Sequence, residues 1–178
     1  MKAVCSECVD ITLPVSRVFT FVADVARWPL WLSFVVSAHC DEEPARAGLA
    51  ADQELHICMQ RGKRRWQETF DVVRFVPNAF VWLEGSLSAA RRIEFRFEQR
   101  RSGTRVHCAV GYPVYGGAVG RLRDALLTRH GVVRDVASSL LQLKSVLEEA
   151  AVDEPARSAS PAHGEESIRG STNEPLPA

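Results

Sequence analysis

The residues best suited to chemistry lie mid-chain, where Trp66, Glu68 and Phe70 alternate with Gln67 and Thr69. Side chains two apart on an extended strand share a face. One register therefore sets the Glu68 carboxylate among aromatic rings, the setting in which a glutamate becomes a usable general acid or base near neutral pH. The other register turns Gln67, Thr69, Asp71 and Val73 inward, and an arginine partner would make Glu68 an ion-pair residue instead. A single step of register separates the first two readings.

Other groupings carry less. Cys5 and Cys8 stand three apart, on opposite faces of a strand, and no second such pair or histidine-rich partner follows, so neither a redox pair nor a metal site is expected. His56 and Cys58 share a face but are too few ligands for zinc. Arg61, Lys63, Arg64 and Arg65 surround Gly62 as a basic knot, read as a solvated hairpin turn in preference to a phosphate site. Gly116, Gly117 and Gly120 follow the last strand and do not open a parallel crossover, so they read as a hinge, not a nucleotide loop. With no catalytic-triad order and no glycine-rich phosphate loop, no cofactor is expected.

The elements that must position these residues follow from hydrophobic period. Val9, Ile11 and Leu13 alternate with Asp10 and Thr12, giving a half-buried strand over Val4 to Leu13 that Pro14 stops. Ser16 is the expected cap of a short helix through Phe19 and Val22, and Asp24 the cap of a second one cut near Pro29. Strand character resumes from Phe34 to His39. It recurs over Gln53 to Gln60, Arg65 to Val76, Phe80 to Leu87, Arg91 to Arg100 and Thr104 to Tyr115, separated by turn chemistry such as Pro77-Asn78 and Ser102-Gly103. Ile93, Phe95 and Phe97 alternate with Glu94, Arg96 and Glu98, the cleanest division into an inner and an outer face.

The chain then changes period. Val119, Leu122, Leu126, Val133, Val136, Leu140, Leu143 and Leu147 recur at three- and four-residue steps, which predicts one long amphipathic helix from Ala118 to Ala150, roughly 45 Å in length. Arg121 and Arg123 at its start and Glu148 and Glu149 at its end oppose the helix dipole, so burial must hold it in place. Gly131 interrupts it at a cost of roughly 1 kcal/mol relative to alanine, marking either a bend over a cavity mouth or a close packing contact.

Composition sets the bounds. The 178 residues carry 22 basic and 22 acidic side chains and 46% apolar residues. That suits one domain with a real core, expected over 1–151, and argues against nucleic acid or an anionic membrane as partner. From 152 to 178 the chain is rich in Asp, Glu, Pro, Ser and Gly, and a disordered tail is expected. No apolar run is long enough to span a bilayer, and five cysteines without a secretory signal read as reduced thiols, so a cytoplasmic location is expected. No residue pattern specifies an oligomeric state.

One strand, two short helices, a six-strand meander and a long closing helix is the order of the helix-grip fold. The chain resembles the START-like (SRPBCC) superfamily of polyketide cyclases, coenzyme Q-binding proteins and plant pathogenesis-related allergens. The resemblance rests on Asp10-Ile11-Thr12-Leu13-Pro14-Val15 with Val18-Phe19, on Asp24-Val25-Ala26-Arg27-Trp28-Pro29 with Trp31, on Arg96-Phe97-Glu98 leading to Gly103-Thr104-Arg105-Val106, and on Leu140 to Glu148. It implies an α+β, Bet v 1-like fold: a seven-stranded antiparallel sheet wrapped around the C-terminal helix, with a ligand cavity between them.

The expected cavity walls are Trp28, Trp31, Leu55, Ile57, Trp66, Phe70, Trp82, Phe95, Phe97, Tyr112 and Leu126; any single aromatic among them is better explained as core, and it is the four tryptophans together that favour a partly hollow interior. Cyclases of this superfamily use an arginine inside the cavity with tyrosine or serine hydroxyls. Here Val72 stands at the arginine position and an apolar residue, Phe34 or Val35, at that of the tyrosine, leaving Arg92, His56 and Tyr112 as polar candidates whose facing the pattern leaves open. The expected function is therefore binding of a hydrophobic or aromatic small molecule, lipid, isoprenoid or polyketide-like. The alternative is a polyketide cyclase, aromatase or dehydratase with Glu68 as general acid/base.

Overall fold

The computed structural model describes residues 2–40, 49–114, 116–118 and 128–158. Seven strands, β1 (Lys2–Ile11), β2 (Val35–Cys40), β3 (Glu54–Arg61), β4 (Arg64–Val76), β5 (Phe80–Gly85), β6 (Ser88–Arg100) and β7 (Gly103–Pro113), form one antiparallel sheet. Its order is β1-β7-β6-β5-β4-β3-β2. All seven expected strands are present, and the α+β helix-grip architecture is the one that the residue pattern and the resemblance implied.

Because β1 and β2 hold opposite edges, the chain crosses the sheet between them through α1 (Val15–Ala23), one 3-10 turn (Val25–Arg27) and α2 (Trp28–Trp31). Their starts differ from expectation. Pro14, not Ser16, is the N-cap of α1, and its carbonyl accepts from the Arg17 and Val18 N–H groups at 3.1 and 3.2 Å. Pro29 lies in the first turn of α2, where its missing N–H costs nothing, so it opens that helix and does not cut one. Asp24 does take the N-cap position, but of the 3-10 turn, and its carboxylate goes to the Arg27 side chain, 2.8 Å away, in place of a backbone N–H.

Strand alternation is kept through local irregularities. On β6, Ile93, Phe95 and Phe97 are buried and alternate with more exposed neighbours. A register shift on β4 between Val72 and Arg74 lets both Val72 and Phe75 face the core, and such bulges bend a sheet toward its concave side. At one end of the concavity the aromatic side chains pack solidly. Trp28 and Trp31 lie 6.0 and 5.6 Å from the Phe95 ring, and Phe19 lies 5.4 and 5.1 Å from Phe75 and Phe97.

The closing helix, α3 (Arg129–Ser158), seats its stripe of Val136, Leu140, Leu143 and Leu147 in the hollow against β1, β7 and α2. The expected segment with Val119, Arg121, Leu122, Arg123 and Leu126 lies outside the described residues. The disordered tail expected from 152 is corrected at its start, since α3 runs on to Ser158, and from 159 onward it lies outside the described residues. Polar contacts fix the helix laterally. The Ser33 N–H donates to Ser139 Oγ at 3.0 Å, Gln142 Nε2 to the Leu30 carbonyl at 2.8 Å, and Lys144 Nζ to the Asp10 carbonyl at 2.9 Å.

Glu148 corrects the dipole argument. Since α3 continues to Ser158, Glu148 is not at the helix end; it accepts from the Thr12 N–H at 3.0 Å and from the Thr12 hydroxyl at 2.8 Å. The Thr12 backbone bond holds its carboxyl below the ordinary 4.5, desolvation opposes this, and the Thr12 hydroxyl and Lys144 add to it. A carboxyl lowered in the folded state contributes stability above its unfolded value and loses it as pH falls through the folded one. Glu148→Gln is expected to lower the unfolding free energy by about 1 kcal/mol at pH 7. Urea unfolding of both proteins should show that gap closing below about pH 4.5, the ordinary value; a gap unchanged at pH 3 would refute the charged tether.

Candidate functional site

The end of the concavity remote from α1 is hollow. A cavity of about 760 Å³ lies between the sheet and the first turns of α3, a size typical of small-molecule sites. Its apolar wall comes from Phe34, Met59, Trp66, Phe70, Ile93 and Val110, closed on the helix side by Val132 and Val136. Tyr112 and Pro113 line the end of β7.

One carboxylate sits in this wall. Glu68 shares the inward face of β4 with Trp66, Phe70 and Val72, and its side chain is 8% exposed. The Trp66 indole N–H donates to Glu68 Oε2 at 3.4 Å, and Arg91 Nη1 donates to Glu68 Oε1 at 2.6 Å. Glu68 and Arg91 stand on β4 and β6, with β5 between them. They meet because the intervening residue is Gly85: a Cβ there would lie 3.0 Å from Arg91 Cβ and 3.4 Å from Glu68 Oε1. Both the inward register and the arginine partner considered for Glu68 are thus realised together. A buried carboxylate without such a partner would be strongly destabilising.

A second ion pair spans the mouth. Arg61, at the end of β3, places Nε 3.1 Å from Asp135 Oδ2 on α3, and both residues line the cavity. Gly131 makes room for it, since a Cβ there would lie 1.8 Å from Arg61 Nη2. Of the two roles considered for this glycine, the close contact is the one realised. The basic knot forms the expected hairpin, with Arg61 opposite Arg64, and Arg64 lies 5.9 Å over the Trp66 ring.

The expected wall residues are divided by the fold. Trp66, Phe70 and Tyr112 line the cavity together with Glu68. Trp28, Trp31, Leu55, Ile57, Phe95 and Phe97 are inward but belong to the packed core, each at most 5% exposed. Trp82 is a correction: Val81 and Leu83 take the inward positions of β5, so Trp82 points to the outer face opposite Glu94. Leu126 lies outside the described residues.

Sequence reasoning misses Met59 and Arg61, although they continue the inward alternation of Leu55 and Ile57. Arg91 also has the parity of Ile93 and Phe95, a signal that the sequence carries. Phe34, Val132 and Asp135 reach the cavity through tertiary placement alone.

The outer face holds a second concavity around His39, His56 and Thr69, where His56 Nδ1 lies 3.1 Å from Thr69 Oγ1. Among the described residues no group of three side chains could hold a metal ion. Cys5 is buried and Cys8 exposed, as the strand period requires. Burial pushes the inward Cys108 thiol up to about 12, which keeps it protonated and unreactive at neutral pH.

No curated protein matches the chain. Among solved structures, the KanY protein shares 17% identity at a TM-score of 0.65, over 83% of this chain and 99% of that one. TTHA0849 from Thermus thermophilus gives 17% identity and 0.65 over 84% and 99% of the two chains. BexL, a di-domain ARO/CYC protein of the BE-7585A biosynthetic pathway, gives 19% identity and 0.61 over 81% of this chain and 49% of its own. At these identities the likeness is one of fold. The model of the family described as polyketide cyclase / dehydrase and lipid transport matches residues 2–148, and the chain belongs to that family.

Proposed function

We propose that this protein binds a hydrophobic, largely aromatic small molecule in the cavity between the sheet and α3. The observation that carries the reading is the hollow itself, about 760 Å³ with Trp66, Phe70, Phe34 and Met59 as its wall. Apolar ligand surface moved there from water gains roughly 25 cal/mol per Å². A flat ring system also stacks on indole and phenyl faces. The five free thiols suit a reducing compartment such as the cytoplasm. Among the described residues no helix is long and apolar enough to cross a membrane.

A second reading, catalysis of cyclisation or dehydration, is favoured by one observation. The guanidinium that superfamily cyclases carry inside the cavity is absent at Val72, which is apolar and fully buried, yet Arg91 brings one to the cavity from β6 beside Glu68. In that reading Arg91 polarises a ligand carbonyl while the Glu68 carboxylate takes the proton from the adjacent carbon.

Binding of 1-pyrenemethanol, followed by fluorescence anisotropy, is expected to be saturable with one site per chain. Val110→Trp, which puts an indole into the cavity, should weaken it at least about tenfold, or about 1.4 kcal/mol, with the thermal midpoint unchanged or raised. Undiminished binding by that variant would refute the site. For the second reading, a poly-β-ketone thioester analogue is incubated with the protein and followed by mass spectrometry. Binding without turnover predicts no loss of water above buffer, whereas a dehydrated product formed by the wild type and abolished by Glu68→Gln, with affinity held within about threefold, would establish catalysis.

A further inference from the structure

The closing helix is fastened more on one side than on the other. From the Asp135 carbonyl onward, α3 is tied to β1 and to the segment from α2 to β2: the Ser33 hydroxyl donates to that carbonyl at 3.3 Å, and Ser139, Gln142, Lys144 and Glu148 meet Ser33, Leu30, Asp10 and Thr12. Through Val132, Asp135 and Val136 its first turns face the β3–β4 hairpin across the cavity. There Arg61 Nε, 3.1 Å from Asp135 Oδ2, makes the one ion pair among the described residues that joins hairpin to helix. Both side chains keep contact with water, at 38% and 25% exposure, so the pair is weak and open to screening by salt.

The guanidinium reaches that carboxylate across Gly131, one turn before Asp135 on the same helix face. A Cβ at position 131 would stand 1.8 Å from Arg61 Nη2, so any other residue there displaces the guanidinium. Glycine is a poor helix former; what it supplies here is a seat for the arginine. From this weak tie across the mouth, seated on a bare glycine, we infer that the Arg61–Asp135 pair is the latch of the ligand portal. The ligand enters and leaves between the hairpin tip and the first turns of α3, and the pair parts to let it pass. The inference rests on the cavity reading above and adds a route and a barrier to it. Parting the pair is a step common to entry and exit, so its loss speeds both by the same factor and leaves the affinity nearly unmoved.

Stopped-flow fluorescence with 1-pyrenemethanol gives both rate constants, and because the probe is uncharged, salt does not steer it electrostatically. The wild type is expected to take up and release the probe faster in high salt than in low salt. Arg61→Met and Asp135→Asn should each raise both rate constants about three- to fivefold, the weight of a partly exposed pair, and should lose the salt response. The double variant should be no faster than either single one. Gly131→Ala is the decisive case, since residue 131 does not line the cavity and both charges stay in place. It should give the same acceleration with Kd within about twofold and the thermal midpoint unchanged or raised, and should add nothing once Arg61 is methionine. Rates that stay at the wild-type value in all three single variants would overturn the latch while leaving the cavity reading intact. So would a Gly131→Ala effect that persists without Arg61, or a rise in the dissociation rate alone, which would make the pair a ligand contact. A wild type that takes up no probe would overturn both claims.

Discussion

A single helix cannot fill the hollow of a seven-stranded sheet, and much else in this protein follows from that mismatch. Six strand spacings of about 4.8 Å give a sheet roughly 29 Å across, against a helix roughly 10–12 Å in diameter. The stripe of Val136, Leu140, Leu143 and Leu147 closes only the strip of sheet on which α3 lies. The crossover helices supply the missing volume at one end, where Phe19, Trp28 and Trp31 pack on Phe75, Phe95 and Phe97. Among the described residues nothing comparable fills the other end, under the β3–β4 hairpin and the first turns of α3, and the cavity is what remains.

The charges of that remainder are arranged by access to water. Glu68, the more buried of the two carboxylates, is held by a guanidinium and an indole N–H, as a desolvated anion must be. The arginines sit nearer the mouth, where long side chains lay their stems on apolar surface and keep their heads hydrated. Arg61 and Asp135 tie hairpin to helix across the opening, and the close approach depends on the absence of a side chain at Gly131. The wall is therefore apolar, while its rim is polar and carries a surplus of cations.

Much of this was legible from residue order. Alternation placed the strands and reduced Glu68 to two registers; the inward one is realised, since a one-residue slip on β4 would expose Phe70 and Val72 to water. Residue type misleads where it is allowed to outweigh alternation. Trp82 suggests a cavity wall by its size, yet Val81 and Leu83 take the inner face of β5 and send it outward. Met59, Arg61 and Arg91 carry the correct parity and are easily passed over because their types do not advertise a cavity.

The sequence by itself determined the period of each element, the buried face of its cleanly alternating strands and the family that the order of elements resembles, because these depend on neighbours a few residues apart and on their order. Only the tertiary structure decided which inward aromatic residues fill the core and which line the cavity, since that depends on where α1, α2 and α3 come to rest on the sheet. It also decided the partner of Glu68. Arg91 is 23 residues away and two strands over, and Gly85 on the strand between them leaves room for the two side chains to meet.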